Sequence, residues 1–229
     1  GKAQTVSTLV GGVGAAEKKA GVTVINGYGT FDGPGRVTVD GTSYTADHVI
    51  LATGSVPVMP PIPGTENNPA VVDSTGMLSV AEIPGRLTVI GGGVIGLEFA
   101  SLFAMLGSEV TVIEMLPEIA PFMDADIAAQ LRKALDGVTF HLNSKVTAID
   151  GGTVKFTAAD GSEQSVDSDV VLMAVGRRPA VQGWGAESSG LEFSGKGIVV
   201  DDRMRTNLPN VWAVGDVTGR SLLAHAAYR

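Results

Sequence analysis

The 229 residues predict an α/β protein in which parallel sheets are joined to antiparallel meanders. Three observations carry that expectation. Residues 87–114 run strand, glycine loop, helix and strand, the order of a βαβ unit. Two stretches, His48–Pro57 (HVILATGSVP) and Val170–Pro179 (VVLMAVGRRP), repeat one pattern: an apolar strand, a glycine at its end, then a proline. Upstream of each lie short alternating runs broken by Asp-Gly pairs, which are strong hairpin signals.

In the βαβ stretch, the strand 87–90 runs into Gly91, Gly93 and Gly96, spaced G-x-G-x-x-G. The first glycine suits a tight turn, the second a close approach of backbone to a pyrophosphate, and the third close packing of helix on strand. The helix that follows presents free N–H groups and the positive end of its dipole to phosphates. After a turn at Gly107 a second apolar strand, 110–113, ends on Glu114, about 20 residues beyond the glycines, where an acid accepts hydrogen bonds from a ribose diol. A carboxylate there repels the 2′-phosphate of NADP, and Met115–Pro121 contains no basic residue, so NAD is the expected dinucleotide. Residues 87–107 carry a single charge, Glu98, and are long enough to cross a bilayer. The glycine loop and the β-branched run before it favour a buried strand feeding a buried helix instead.

Before the first repeat, strands are expected at Val22–Gly27, Arg36–Val39 and Thr42–Tyr44, the last two split by Asp40-Gly41. Before the second they are expected at Val138–Leu142, Lys145–Ile149, Thr153–Thr157 and Glu163–Val166, split by Asp150-Gly151 and Asp160-Gly161. Only the second copy has a glycine loop and an acid ahead of its meander. The first has Thr5–Ala20, where Gly11-Gly12-Val13-Gly14 follows no strand and reads as a loop or a helix interruption. A first unit lacking its N-terminal half is expected, with apolar surface exposed around Val49–Leu51 and Val211–Val214. A third related strand, Asn210–Val214, ends in Gly215-Asp216, which suits either a carboxylate accepting from a polyol or an ordinary turn. An apolar helix start follows at Leu222–Ala227.

Composition narrows the function. Apolar residues at 44% with 31 glycines fit a compact α/β chain rich in tight turns. A net charge of −8 and no run of Lys or Arg argue against nucleic acid or anionic membrane as partner. The absence of cysteine excludes a thiol nucleophile, a redox disulfide or a thiolate metal site within these residues. His48, His141 and His225 lie far apart and form no ligand motif, so no metal is expected. The chain opens Gly-Lys with no apolar signal segment and ends inside a helical-looking stretch, so either end reads as a cut, and a cytoplasmic location is the default expectation.

Taken in order, Ala52-Thr53-Gly54-Ser55, Gly91–Glu98 (GGGVIGLE), Glu114, Val175-Gly176-Arg177-Arg178-Pro179, Gly215-Asp216 and Leu222-Leu223-Ala224-His225 give the chain a resemblance over essentially its whole length. It resembles the flavin-dependent pyridine-nucleotide disulfide oxidoreductases, most closely the dihydrolipoyl dehydrogenases. The resemblance implies two Rossmann-like FAD/NAD(P)-binding domains, the FAD domain incomplete: residues 1–76 as part of the FAD domain, 77–197 as the NAD domain and 198–229 as the return into the FAD domain. It places Gly29, Thr53, Gly54, Ser55, Asp216, Leu222, Leu223, Ala224 and His225 against FAD. It places Gly91, Gly92, Gly93, Val94, Ile95, Gly96, Leu97, Glu98, Glu114, Val146 and Gly176 in the NAD site. In the family Glu98 pairs with a lysine beside the flavin; an acid in the first helical turn, favoured by the dipole, explains it as well.

The family passes electrons from dihydrolipoamide to a disulfide, to FAD and to NAD, as a homodimer serving carrier domains of 2-oxo acid dehydrogenase or glycine cleavage complexes. Its cysteine pair, first FAD glycine loop and C-terminal dimer domain with a His-Glu pair are absent from these residues. No catalytic residue is therefore expected in this chain, only the nucleotide-binding last stage. Related readings are mercuric reductase, NADH oxidase and soluble transhydrogenase; a non-catalytic NAD-binding module is the reading from another class. Glutathione reductase fits less well, because its NADP site uses arginines where Glu114 stands. A Rossmann methyltransferase would leave the repeated strand-end glycines unexplained.

Overall fold

The structure, a computed structural model, describes residues 2–227 and divides into two compact units. The outer unit takes the chain up to Gly54 and again from Ala180; the inserted unit is Ser55–Pro179. The expected joins, after residues 76 and 197, lie further along the chain than these contact boundaries. The difference has a packing source: residues 71–73 join the inserted unit's sheet, while Trp184, Ala186 and Leu191 pack in the outer unit's core.

The outer unit opens with helix α1 (Lys2–Lys19), which runs straight through Gly11, Gly12 and Gly14. No loop or interruption occurs there. Each glycine costs about 1 kcal/mol of helix propensity, and the surrounding Ala, Glu, Leu and Lys residues outweigh that. The helix stops at Gly21, φ +74°, where Gly21 N–H donates to Lys18 O and Val22 N–H to Glu17 O. This is a Schellman closure that a left-handed glycine permits. Residues 22–27 form no strand. A Gly-Pro-Gly turn at residues 33–35 instead folds β1 (Gly29–Gly33) back against β2 (Arg36–Val39), and β3 (Thr42–Thr45) completes an antiparallel meander. The β2–β3 turn is Asp40-Gly41, both at positive φ, as the Asp-Gly signal requires. Strand β4 (Val49–Leu51) ends this part.

The inserted unit begins with β5 (Ser55–Pro57), β6 (Val71–Asp73) and the one-turn α2 (Ser74–Met77). Then come β7 (Arg86–Ile90), α3 (Val94–Met105), β8 (Glu109–Ile113), α4 (Ala125–Ala134) and β9 (Val138–His141). The meander β10 (Lys145–Asp150), β11 (Thr153–Thr157) and β12 (Glu163–Asp167) follows, then β13 (Val170–Met173) and β14 (Arg177–Pro179). Strands β6-β13-β7-β8-β9 form one five-stranded sheet, all pairs parallel. Residues 138–141 form its edge strand, and the antiparallel meander that follows is β10-β11-β12. Both faces of the sheet are covered, which is why its strands read as unbroken apolar runs. Leu87, Val89, Val110, Val112 and Leu172 pack against Ala100 and Phe103 of α3 and Met77 of α2. Ile90, Ile113, Val171 and Met173 pack against Val146, Ile149, Val154 and Phe156 of the meander.

The two repeats meet: β5 pairs antiparallel with β14, Ser55 opposite Pro179 and Pro57 opposite Arg177. The strand-end glycine and the proline beyond it thus mark where the chain passes into the inserted unit and out again. Back in the outer unit, β15 (Phe193–Ser194), β16 (Gly197–Ile198), β17 (Val211–Ala213) and helix α5 (Ala224–Ala227) complete the fold. Strand β17 lies parallel to β4. Val49, Leu51, Val211 and Ala213 are buried in a core with Phe31, Trp184, Ile198 and Val217. Strand alternation sends Ile50 (66% exposed) and half-buried Trp212 and Val214 to the other face, which leaves apolar surface exposed along these strands. Helix α1 buries no residue and displays Val6, Leu9, Val10 and Val13. No helix among the described residues is long and apolar enough to cross a membrane.

His141 ends β9 with its ring 4.8 Å from that of Phe156. Burial pushes its imidazole below the ordinary 6.5, so the unfolded chain takes up the proton first. This contribution is intact above the ordinary value and is lost as pH falls through the window below it. Denaturation midpoints of the native chain and His141→Leu, compared between about pH 5 and 8, should show a slope on the acid side that the variant lacks. Parallel pH profiles would contradict this assignment.

Candidate functional site

The order of the five strands locates the site. From β7 the chain moves outward through α3 to β8 and on to β9, and later places β13 on the opposite side of β7. The direction reverses between β7 and β13, and ligands of open α/β sheets bind outside the carboxyl ends of the strands at such a switch point. Gly91 follows β7 and Gly176 follows β13, so the two strand-end glycines flank that crevice.

Each glycine of the loop has a different reason to lack a side chain. Gly91 has φ +107°, and a Cβ there would lie 2.5 Å from the carbonyl oxygen of Ala174. Gly96 faces the strand, and a Cβ would run into the carbonyl oxygen of Gly91 and lie 3.1 Å from Val89 Cγ1. Gly93, the N-cap of α3, has ordinary extended dihedrals and no atom within 4 Å of where its Cβ would stand. Packing within the protein does not require glycine at that position. The first bond of α3 is Leu97 N–H to Gly93 O, which leaves the N–H groups of Val94, Ile95 and Gly96 without intrahelical acceptors.

Glu114, 8% exposed, closes the other side. Its Oε2 accepts the Gly92 N–H at 2.6 Å and its Oε1 accepts the Leu116 N–H at 2.7 Å. A carboxylate offers about four acceptor positions, so two remain after these bonds. Gly91 N–H donates to Ile113 O, tying the loop to the end of β8. Sequence reading found Gly92 and Glu114 but not this bond between them, nor Leu116, which completes the carboxylate's shell. An acid at a strand end gives no signal of which backbone N–H groups it will meet.

Gly91–Leu97, Glu114 and Gly176 are therefore gathered at one end of the sheet. Val146 sits at the start of β10 with its side chain in the core between meander and sheet. Glu98 lies beyond the first turn of α3, which contains no acid, so dipole stabilisation of a first-turn acid does not account for it. It is exposed on the rim of an apolar groove lined by Val94, Leu97, Leu102, Ala120 and Phe122.

In the outer unit, the parallel pairing of Leu51 with Ala213 sets residues 52–54 and 214–216 at one sheet edge. Gly54 and Gly215 both have φ +73°. Thr53 Oγ1 donates to Ala180 O, and the Gly54 carbonyl accepts the Ala180 N–H. Asp216 lies in a single 3₁₀ turn, Gly215–Thr218, and Ala227 of α5 comes within 3.4 Å of where a Gly215 Cβ would stand. Helix α5 starts at Ala224, so Leu222 and Leu223 precede it; with Ala224 and His225 they are exposed. Gly29 opens β1 opposite Val39, on the three-stranded meander. Ser55 belongs to β5, its hydroxyl accepting from Arg177 Nε at 2.8 Å.

The two helix-loop glycines make opposite demands, and substitution separates them. Gly93→Val should leave the fold intact and abolish dinucleotide binding, since only a ligand meets that side chain. Gly96→Ala should destabilise the protein by about 1–3 kcal/mol, the usual cost of overpacking, because backbone meets it. Denaturant midpoints together with nucleotide titration check both. A Gly93→Val chain that binds NADH normally would make the glycines a mere turn.

Residues 3–229 match the family described as pyridine nucleotide-disulphide oxidoreductase. The chain is 44% identical over 239 aligned residues to dihydrolipoyl dehydrogenase 3 of Pseudomonas putida, covering 99% of this chain and 51% of that protein. It is 40% identical to the dihydrolipoyl dehydrogenase of Acholeplasma laidlawii, covering 97% of this chain and 67% of that one. Among solved structures, the HOCl-induced flavoprotein disulfide reductase RclA from Escherichia coli superposes with a TM-score of 0.81 at 35% identity, over 90% of this chain and 48% of that one. The chain spans about half to two thirds of the length of these relatives. With a parallel sheet, its switch-point glycines and a match along nearly every residue, the chain belongs to the pyridine nucleotide-disulphide oxidoreductase family.

Proposed function

We propose that these residues are the nucleotide-binding portion of a dihydrolipoyl dehydrogenase-like flavoprotein, with the inserted unit holding NAD and the outer unit contributing to an FAD site. The observation that carries the reading is the Gly92–Glu114 bond beneath an α3 N-terminus whose Gly93 faces open space. When bound, the two cofactors supply hydride transfer. The chain's own groups bind and orient. The N–H groups at the start of α3 meet a pyrophosphate, and the two acceptor positions left on Glu114 meet a ribose diol. Gly176 leaves room for the rest of the dinucleotide across the crevice. In the outer unit Thr53, Gly54, Asp216 and residues 222–225, with Gly29 and Ser55, are assigned to FAD; Gly54 and Gly215 provide left-handed turns at one sheet edge where a polyol chain could lie against Asp216.

The parent would take electrons from dihydrolipoamide on the carrier domain of a 2-oxo acid dehydrogenase or glycine cleavage complex, as a homodimer in the cytoplasm. The similarity to dihydrolipoyl dehydrogenases supports that substrate over the related mercuric reductase, NADH oxidase and transhydrogenase readings. These 229 residues contain no cysteine, so a polypeptide of this sequence alone should form no NADH from dihydrolipoamide.

Glu114 sets the expected nucleotide preference. A charge-assisted hydrogen bond contributes about 1.5–3 kcal/mol, so NADH should bind roughly tenfold or more tightly than NADPH. Parallel fluorescence titrations of the two nucleotides measure it. Equal affinities would remove Glu114 from the ribose site.

A further inference from the structure

The Gly92 peptide is gripped from both sides by one segment. Glu114 accepts its N–H, and the N–H of Ala120 donates to its carbonyl at 2.8 Å. Between those residues the loop folds back over the glycine turn, with Ile119 fully buried and its Cγ2 3.1 Å from where a Gly92 Cβ would stand. Buried Ile119 and Ala120 pack with Leu97, and the Leu116 carbonyl accepts the Asn143 N–H at 3.0 Å, while Met115 and Phe122 on the loop's flanks are 65% and 64% exposed. Ala120 is at φ +46°, a left-handed conformation that a side chain adopts only when its surroundings impose it.

A fork-to-fork ion pair adds a directional constraint to that packing. Glu118 Oε1 accepts Arg132 Nε at 2.8 Å and the Ile119 N–H at 2.9 Å, while Oε2 accepts Arg132 Nη2 at 3.1 Å. Arg132 is on α4, and both side chains are largely shielded, at 32% exposure for Arg132 and 23% for Glu118. Bidentate geometry fixes direction as well as distance, which a lysine cannot reproduce.

We propose that Glu118 and Arg132 are positioning residues for the dinucleotide site: their bidentate bond fixes the loop that holds the Gly92 peptide, and so aims the backbone N–H groups at the pyrophosphate. This rests on the NAD reading of the same cleft. Neither residue touches the nucleotide; both act through Ile119, Ala120 and Gly92. Misplacing binding groups by a fraction of an ångström weakens a site without unfolding it.

The test is NADH titration of the 229-residue chain and of Glu118→Gln, Arg132→Gln and Arg132→Lys, with circular dichroism and melting followed in parallel. Glu118→Gln and Arg132→Gln should bind NADH roughly fivefold more weakly while remaining folded at the titration temperature, the scale of one well-formed ion pair. Arg132→Lys, which keeps the charge and loses the fork, should fall between them and the native chain. If a glutamine variant does not fold, Arg132→Lys decides by the same criterion. Unchanged NADH affinity in folded variants, beside normal binding by the native chain, would overturn the inference. Failure of the native chain to bind NADH would instead overturn the NAD reading, and the inference with it.

Discussion

The Gly92 N–H and the Glu114 carboxylate stand 2.6 Å apart, and the geometry of the cleft depends on that contact. It joins the loop after β7 to the residue after β8, so the turn that feeds α3 cannot drift from the strand beside it. The Gly91 N–H bond to Ile113 O makes the same connection one residue earlier. Because Glu114 is buried, losing its N–H partners would strand a carboxylate away from water, which costs several times what a surface contact contributes. A single buried acid thus stabilises the turn and still has two acceptor positions beyond the bonds it makes.

Around that contact the sheet supplies rigidity. Its central strands bury side chains on both faces, under α2 and α3 on one side and the β10–β12 meander on the other. The switch point then falls where Gly91 and Gly176 end neighbouring strands. Packing density explains Gly91 and Gly96, whose missing side chains would meet Ala174 and Gly91 backbone. It does not explain Gly93. The contrast separates glycines that the fold demands from one that the fold leaves free of that demand.

Local motifs were legible in the sequence, and long-range partners were not. The strand, glycine spacing, helix and acid of residues 87–114 each have a local cause, and the structure has them in that order. The Asp40-Gly41 turn was equally readable, since positive φ at both positions selects those residue types. Residues 22–27 misled because a β-branched run specifies extended backbone without specifying a partner, and the meander's partner came from the Gly-Pro-Gly turn at 33–35. The glycines of α1 misled in the opposite sense, since propensity is a sum along the helix and breaks at single positions only when φ is forced. The Glu118–Arg132 pair left no trace in the sequence: its members lie on different elements, and only the folded loop brings them together.

The outer unit shows the same economy at smaller scale, with parallel strands β4 and β17 burying alternate residues and setting Gly54 and Gly215 at one edge. The central claim concerns the inserted unit, and amide NMR spectra recorded during NADH titration test it most directly. The account predicts shifts concentrated at Gly92, Gly93, Val94, Ile95 and Leu116, with a smaller set around Gly176. Saturable shifts confined to other residues, with the α3 N-terminus unmoved, would contradict it.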